Sequence, residues 1–279
     1  MSAWVNEYGD ASPTYQFVAL LVRTLREANG WTQDELGSET GYTGSAISAL
    51  ERCAQPPSEV KLAKLDEALF GGKKVLRAAQ EYMRMDRYPR HFKNYAKLEM
   101  AALSICSYET LVIDGLFQTE EYARAVIECG YPPRDPEEAD TLVRGRIDRK
   151  TLFDRKPLPL LELILEESAL RRQVGTPEVM RRQLNYLIEQ AQRINVTLQV
   201  LPLRRGATGQ HAGLRGSMKV LETSEHQTVI YLETGGESIL LSEPGKVTEF
   251  AQRYAKIRAQ ALSQDESLAF IEQLAEEWE

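Results

Sequence analysis

The chain has 279 residues, 43% hydrophobic and 27% charged, enough for a sizeable core and for two domains of ordinary size. Its formal net charge of -7 excludes a general electrostatic pull toward nucleic acid or anionic membranes, so any contact with DNA has to be local. The first residues, MSAWVNEYGDASP, have neither the basic nor the apolar part of a secretory leader. No apolar run approaches the ~20 residues a bilayer requires, so a cytoplasmic protein without a membrane span is expected. Cys53, Cys106 and Cys129 are odd in number and far apart, which suits reduced packing thiols rather than a metal or redox pair.

Val18, Leu21, Val22 and Leu25 recur at three- and four-residue steps and predict a helix that stops at Asn29-Gly30. Thr32-Gln-Asp-Glu35 is a capping box that opens a short second helix ending at Gly41. Thr43 caps a third, with Ile47 and Leu50 facing inward. Pro56-Pro57-Ser58 closes it and caps a fourth, which carries Leu62, Leu65 and Leu69 and stops at Gly71-Gly72. A more polar helix from Lys73 to about Tyr88 reads as a connector. This gives an N-terminal bundle of four to five helices over 1–72, a connector over 73–97, and a second domain over 98–279.

In that second domain, 97–108 and 119–129 read as helices flanking the loop Ile113-Asp114-Gly115, and 136–154 as a long basic helix. Strands are expected at 158–165, 196–202, 216–222, 228–233 and 238–242, the last two joined by the hairpin Thr234-Gly-Gly-Glu237. Thr176-Pro177-Glu178 opens a helix with Met180, Leu184, Leu187 and Ile188 inward, and two helices from Pro244 and Ser263 close the chain. The fold class is therefore α+β, with a mixed sheet of about five strands and flanking helices behind the helical module.

A helix-turn-helix needs a small residue where its helices touch, a turn residue tolerant of positive φ, and apolar residues that lock the second helix. Gly37, Gly41, Ile47 and Leu50 meet these needs at compatible spacing. With Gln33-Asp-Glu-Leu36 and Ile47-Ser-Ala-Leu-Glu-Arg52, the stretch resembles the Cro/cI-like, xenobiotic-response-element type. The resemblance implies a phosphate contact from Gln33 and a recognition surface of Thr43, Gly44, Ser45, Ser48 and Ala49, with Arg52 at its far end. Double-stranded DNA, read by a homodimer on a palindromic operator, is then the expected partner. No side chain between Gly41 and Glu51 offers the bidentate guanine contact of an Arg or Lys. Residues 1–75 hold seven basic side chains against ten acidic ones, so a single module lacks the phosphate-neutralising charge that supplies non-specific affinity.

Three later segments resemble the WhiJ-like bacterial regulators: YETLVIDGLFQTEEYARAVIECG (108–130), ILEESALRRQVGTPEVMRRQLNYLIEQAQRINVTLQVLPLRRGA (164–207) and VIYLETGGESILLSEPGKVTEFAQRYAKIRAQALSQDESLAFI (229–271). Asp114 stands where that family usually has Pro, and Phe117 where it has Leu. The resemblance implies a transcription factor whose C-terminal domain binds a small partner protein, sometimes as an antitoxin-like pair, with no enzyme activity and no cofactor. Gly115, Leu116, Phe117, Gln118, Thr119 and Tyr122 form the motif a partner would meet. Equally, Leu116 and Phe117 are of the type that anchors a loop in a core. An antitoxin-like protein that sequesters its partner, and a small-molecule-responsive regulator, remain alternative readings.

The segment 142–156 has six basic residues against two acidic ones and reads either as extra phosphate contacts or as a solvated helix face. The loop 204–217 is rich in Gly but lacks a phosphate-loop signature. His91, His211 and His226 stand apart, with no catalytic or metal-binding spacing.

Overall fold

The computed structural model describes residues 12–55, 57–85, 92–204, 210–234 and 237–278. Pro56, His91, the tip of the 204–217 loop, the two glycines of the Thr234 hairpin and the end of the connector lie outside these residues. The chain divides into two compact units, Met1–Arg87 and Tyr88–Glu279.

The first unit is a bundle of five helices: α1 (Pro13–Ala28), α2 (Gln33–Thr40), α3 (Gly44–Glu51), α4 (Glu59–Phe70) and α5 (Val75–Met85). Local chemistry fixes their ends. Thr32 and Glu35 form the predicted capping box, Thr43 caps α3 and Ser58 caps α4, while Gly41 and Gly71 end α2 and α4 in the left-handed region at φ 71° and 58°. Val18, Val22, Leu36, Ile47, Leu50, Leu62 and Leu65 fill the centre. The segment read as a connector contributes α5, which belongs to this bundle. Leu76 is fully buried in the same core, and the buried Asp66 carboxylate accepts the Lys74 and Leu76 amides at 2.6 Å each, capping α5 from α4.

The second unit is α+β. Its sheet has six strands in the order β3-β2-β1-β4-β5-β6: β1 (Ser104–Glu109), β2 (Leu160–Glu166), β3 (Val196–Leu201), β4 (Met218–Glu222), β5 (Thr228–Thr234) and β6 (Glu237–Leu241). β1 runs parallel to β2, and β2 to β3, whereas β4, β5 and β6 continue antiparallel. Five strands lie where the sequence places them; the sixth, β1, corrects the reading of 97–108 as helix. The helix there is α6 (Lys93–Ala101), and the chain then turns into the middle of the sheet. Leu98, Ala102, Ile105 and Tyr108 keep a helical rhythm by coincidence, while a short strand buried on both faces shows no alternation to oppose it.

The remaining helices are α7 (Glu120–Glu128), α8 (Pro136–Asp148), α9 (Glu167–Arg171), α10 (Pro177–Ala191), α11 (Pro244–Gln260) and α12 (Gln264–Glu276), with 3-10 turns at Gly115–Phe117 and Arg149–Asp154. The long basic helix expected over 136–154 thus breaks at Asp148. Among the described residues no helix is long and apolar enough to cross a membrane.

Candidate nucleic-acid interface

The two helices of the N-terminal motif approach so closely that Gly37 has no room for a side chain. A Cβ there would lie 2.8 Å from the Tyr42 carbonyl oxygen and 3.0 Å from the Gly44 nitrogen, both backbone atoms that cannot step aside. Gly41, at positive φ, reverses the chain, and Ile47 and Leu50 seat α3 with no exposed surface. The remaining face of α3 carries what the sequence assigns to it. Thr43, Ser45 and Arg52 are exposed, while Gly44, Ser48 and Ala49 are half-buried. Thr43 Oγ1 accepts the Ala46 amide at 3.2 Å and lies 2.9 Å from Ser45 Oγ, and Arg52 donates to the Ser48 carbonyl at 3.4 Å.

Gln33 sits apart from that picture. Its amide donates to Glu51 Oε2 at 2.8 Å, and Glu51 is 4% exposed. The same carboxylate receives Arg26 Nε at 2.6 Å and Nη2 at 3.1 Å, while Arg26 Nη1 reaches the Trp31 carbonyl at 2.8 Å. Hydrogen bonding to Glu51 raises the Arg26 pKa further above its ordinary value. α1, the loop before α2 and the end of α3 are thereby tied to one buried carboxylate, and the side chain predicted to reach a phosphate is part of the knot. Sequence reasoning missed this because Arg26 and Glu51 each look like ordinary surface residues of an amphipathic helix.

It also missed the cations beside the turn. Lys61 and Lys64 of α4 bring their ammonium groups to 5.3 and 5.1 Å from the centre of the Tyr42 ring. Lys61 Nζ donates to the Ala46 carbonyl of α3 at 2.6 Å, and burial lowers its pKa. Lys64 is exposed and lies so near Gly41 that a Cβ on that glycine would come within 3.2 Å of its nitrogen. Their one signal in the sequence is a position just before Leu62 and Leu65, on the shoulder of the buried face.

In the second unit the motif after β1 is turned inward. Leu116, Phe117, Gln118 and Tyr122 are 2% exposed or less, and Gly115 and Thr119 are half-buried. Gln118 Nε2 donates to the Ile113 carbonyl at 2.6 Å. Gln183 of α10 donates to the Phe117 carbonyl at 2.8 Å and accepts the Thr119 amide at 2.7 Å. Thr119 caps α7, and the Ile113 amide reaches the Tyr122 hydroxyl. Asp114, the departure from the family pattern, caps the 3-10 turn through the Leu116 amide at 2.8 Å and pairs with the buried Lys219 of β4. These side chains anchor the loop and offer a partner almost no surface, because each polar atom named is spent within the domain.

The basic segment 142–156 is likewise neither a phosphate-binding row nor a simple solvated face. Arg149 is 6% exposed and grips the fully buried Glu99 of α6 with two hydrogen bonds of 2.6 Å. Its guanidinium lies within 2.9 Å of where a Cβ on Gly115 would sit, which is why the loop passes there as glycine. Arg146 donates to Gln118 Oε1 at 2.8 Å, and burial beside Arg149 lowers its pKa to about 10. Glu99 is held below the usual carboxylate range: desolvation raises its pKa, and the combined pull of Arg149, with Lys219 nearby, outweighs it.

An open groove of about 670 Å³ lies between α7 and the start of α10. Ala125, Gly175 and Val179 line it together with Glu120, Glu121 and Glu128, and Arg124 is engaged with Asp140 at 2.6 Å. Among the described residues no group of His, Cys, Asp and Glu is arranged to hold a metal ion.

Family models match both units: one described as a helix-turn-helix domain over residues 18–79, the other as a domain of unknown function (DUF5753) over residues 92–273. No curated protein and no solved structure matches the chain. The helix-turn-helix marks a DNA-binding regulator, and it lies ahead of a domain that spans well over half of the residues. The chain belongs to the family that this domain of unknown function, DUF5753, defines.

Proposed function

We propose that the protein is a sequence-specific transcriptional regulator that binds operator DNA as a homodimer through α3 and receives a small partner protein on its C-terminal domain. The observation that carries the reading is the polar, unfilled face of α3, with Thr43, Ser45, Ser48, Ala49 and Arg52 set on a helix whose opposite side is locked. Hydroxyl and methyl groups of this kind read base edges and phosphates weakly one at a time, so two modules on half-sites one helical turn apart supply the missing affinity. Gln33 then acts by steadying α2 against α3 through Glu51.

The WhiJ-like resemblance supports the partner and assigns the C-terminal domain binding rather than catalysis. Since the motif loop is buried, the rim of the α7–α10 groove beside it is the surface this reading gives the partner, and the three glutamates there favour a basic one. The acidic balance of the N-terminal unit favours a second reading, in which partner sequestration is the main act and DNA binding is secondary.

Selection of bound duplexes from a random-sequence pool tests the first reading. Enrichment of a palindromic site is the expected result, and failure to enrich any sequence at low salt would sink it. Ser45→Asp places a carboxylate in the first turn of α3, where it suits the helix dipole but repels phosphate. It should leave folding intact and abolish retention of the selected site. Loss of DNA binding with a stoichiometric partner still bound would move the weight to the second reading.

A further inference from the structure

The sequence leaves α3 without a cation before Arg52, and Gln33 is occupied by Glu51. If the proposed DNA binding is right, on which this inference rests, backbone charge has to be met from elsewhere in the unit. We infer that Tyr42, Lys61 and Lys64 form a phosphate-binding site that flanks the recognition helix, with Lys64 as the direct contact.

Both ammonium groups converge on one ring, from successive turns of α4, at the residue that precedes the Thr43 cap. Among the described residues neither is paired with a carboxylate, unlike Arg26, which is committed to Glu51 and Glu27. An exposed cation gains little from lying over an aromatic ring, so Lys64 retains most of its capacity to attract an anion. Lys61 has a different part: its bond to the Ala46 carbonyl ties α4 to α3 and holds the second charge at fixed depth. The nearby N-terminus of α3 adds the partial positive charge of its free amides. A carboxylate lies at that N-terminus. Asp34 lies against Gly44, where a methyl group would collide with it.

The salt dependence of binding tests the assignment, because each phosphate contact contributes about 0.9 to the slope of log affinity against log salt. The full chain is titrated against a fluorescein-labelled duplex of mixed sequence at potassium chloride concentrations from about 50 to about 200 mM. Lys64→Gln is expected to lower the slope by about one per bound module and to weaken binding uniformly across sequences, whereas Lys64→Arg keeps the wild-type slope. Lys256→Gln, on the exposed side of α11, removes the same charge elsewhere and should leave the slope unchanged. Thermal melting checks that the variants fold. A wild-type slope in Lys64→Gln overturns the site but not the DNA-binding reading, and so does an equal loss in Lys256→Gln. Absence of any binding by the wild type at the lowest salt overturns both.

Discussion

Two buried arginine–glutamate pairs do the same physical job in the two units but lead to different places. In the N-terminal unit, Glu51 accepts Arg26 and still has capacity for Gln33, so a core ion pair extends to the start of α2 beside the candidate DNA interface. In the C-terminal unit, Arg149 and Glu99 satisfy one another, and the surrounding polar groups, Arg146 with Gln118 and Lys219 with Asp114, close on the motif loop. The difference teaches that a polar motif in a sequence does not declare which way it faces. One network holds a surface in position, and the other holds a loop inside.

The C-terminal pair should be the more expensive to break. Arg149→Met removes the partner of a carboxylate that is 2% exposed, and isolated buried charges of this kind cost about 3–5 kcal/mol. Urea denaturation followed by circular dichroism should show that loss in the unfolding of the C-terminal unit, with the N-terminal unit unchanged. Acid gives the sign. In the wild type the Glu99 pKa is depressed, so its contribution is present above the unfolded carboxyl value near ~4.3 and is lost as pH falls through the folded value. In Arg149→Met the carboxyl loses its main partner and burial pushes its pKa up, so the variant loses stability as pH rises. The gap between the two proteins should narrow toward about pH 3. A gap that is flat with pH would mean that the pair is not ionic in the way described.

The N-terminal pair should cost less, because the Arg26 side chain is 10% exposed and can take up water when Glu51 is gone. Glu51→Leu is expected to destabilise the first unit by about 3 kcal/mol, the low end for a broken buried pair, and to free Gln33. The comparison predicts a functional effect here that Arg149→Met lacks: DNA affinity should drop even under conditions where the variant is fully folded. Equal DNA binding by folded Glu51→Leu would show that its network, like the other, serves only stability.

The sequence made the N-terminal unit legible because its signals are local. A capping box, two glycines and apolar residues three or four apart specify helix ends and faces without knowledge of the rest of the chain. The second unit depends on partners far apart in sequence. Ser104–Glu109 becomes a strand only because β2 and β4 flank it, from residues 160 and 218 onward. Arg149 looked like one of six surface cations until α6 supplied Glu99, fifty residues earlier, and Asp114 looked like a loop residue until β4 supplied Lys219. For the candidate DNA interface, the exposed positions on α3 were readable from periodicity. The engagement of Gln33 and the convergence of Lys61 and Lys64 on Tyr42 were not, since the first joins two helices and the second joins a helix to a turn about twenty residues earlier.

The smallest effect concerns the charge that opposes DNA at the surface. Asp34 sits in the first turn of α2, where a carboxylate is favoured by the helix dipole, and its side chain lies against Gly44 at the start of α3. Asp34→Asn gives up the dipole interaction, about 0.3–1 kcal/mol of stability, and removes a negative charge from the approach to the recognition helix. Stability and affinity should therefore move in opposite directions: a slightly lower melting temperature, with tighter binding to duplex DNA at low salt. High salt should erase the gain, because the benefit is long-range and screened within ~10 Å at 0.1 M. Neither buried pair can produce that combination, since breaking one lowers stability without relieving any repulsion at the surface. If Asp34→Asn weakened DNA binding instead, the carboxylate would be orienting α3 from the outside, much as Glu51 orients it from within.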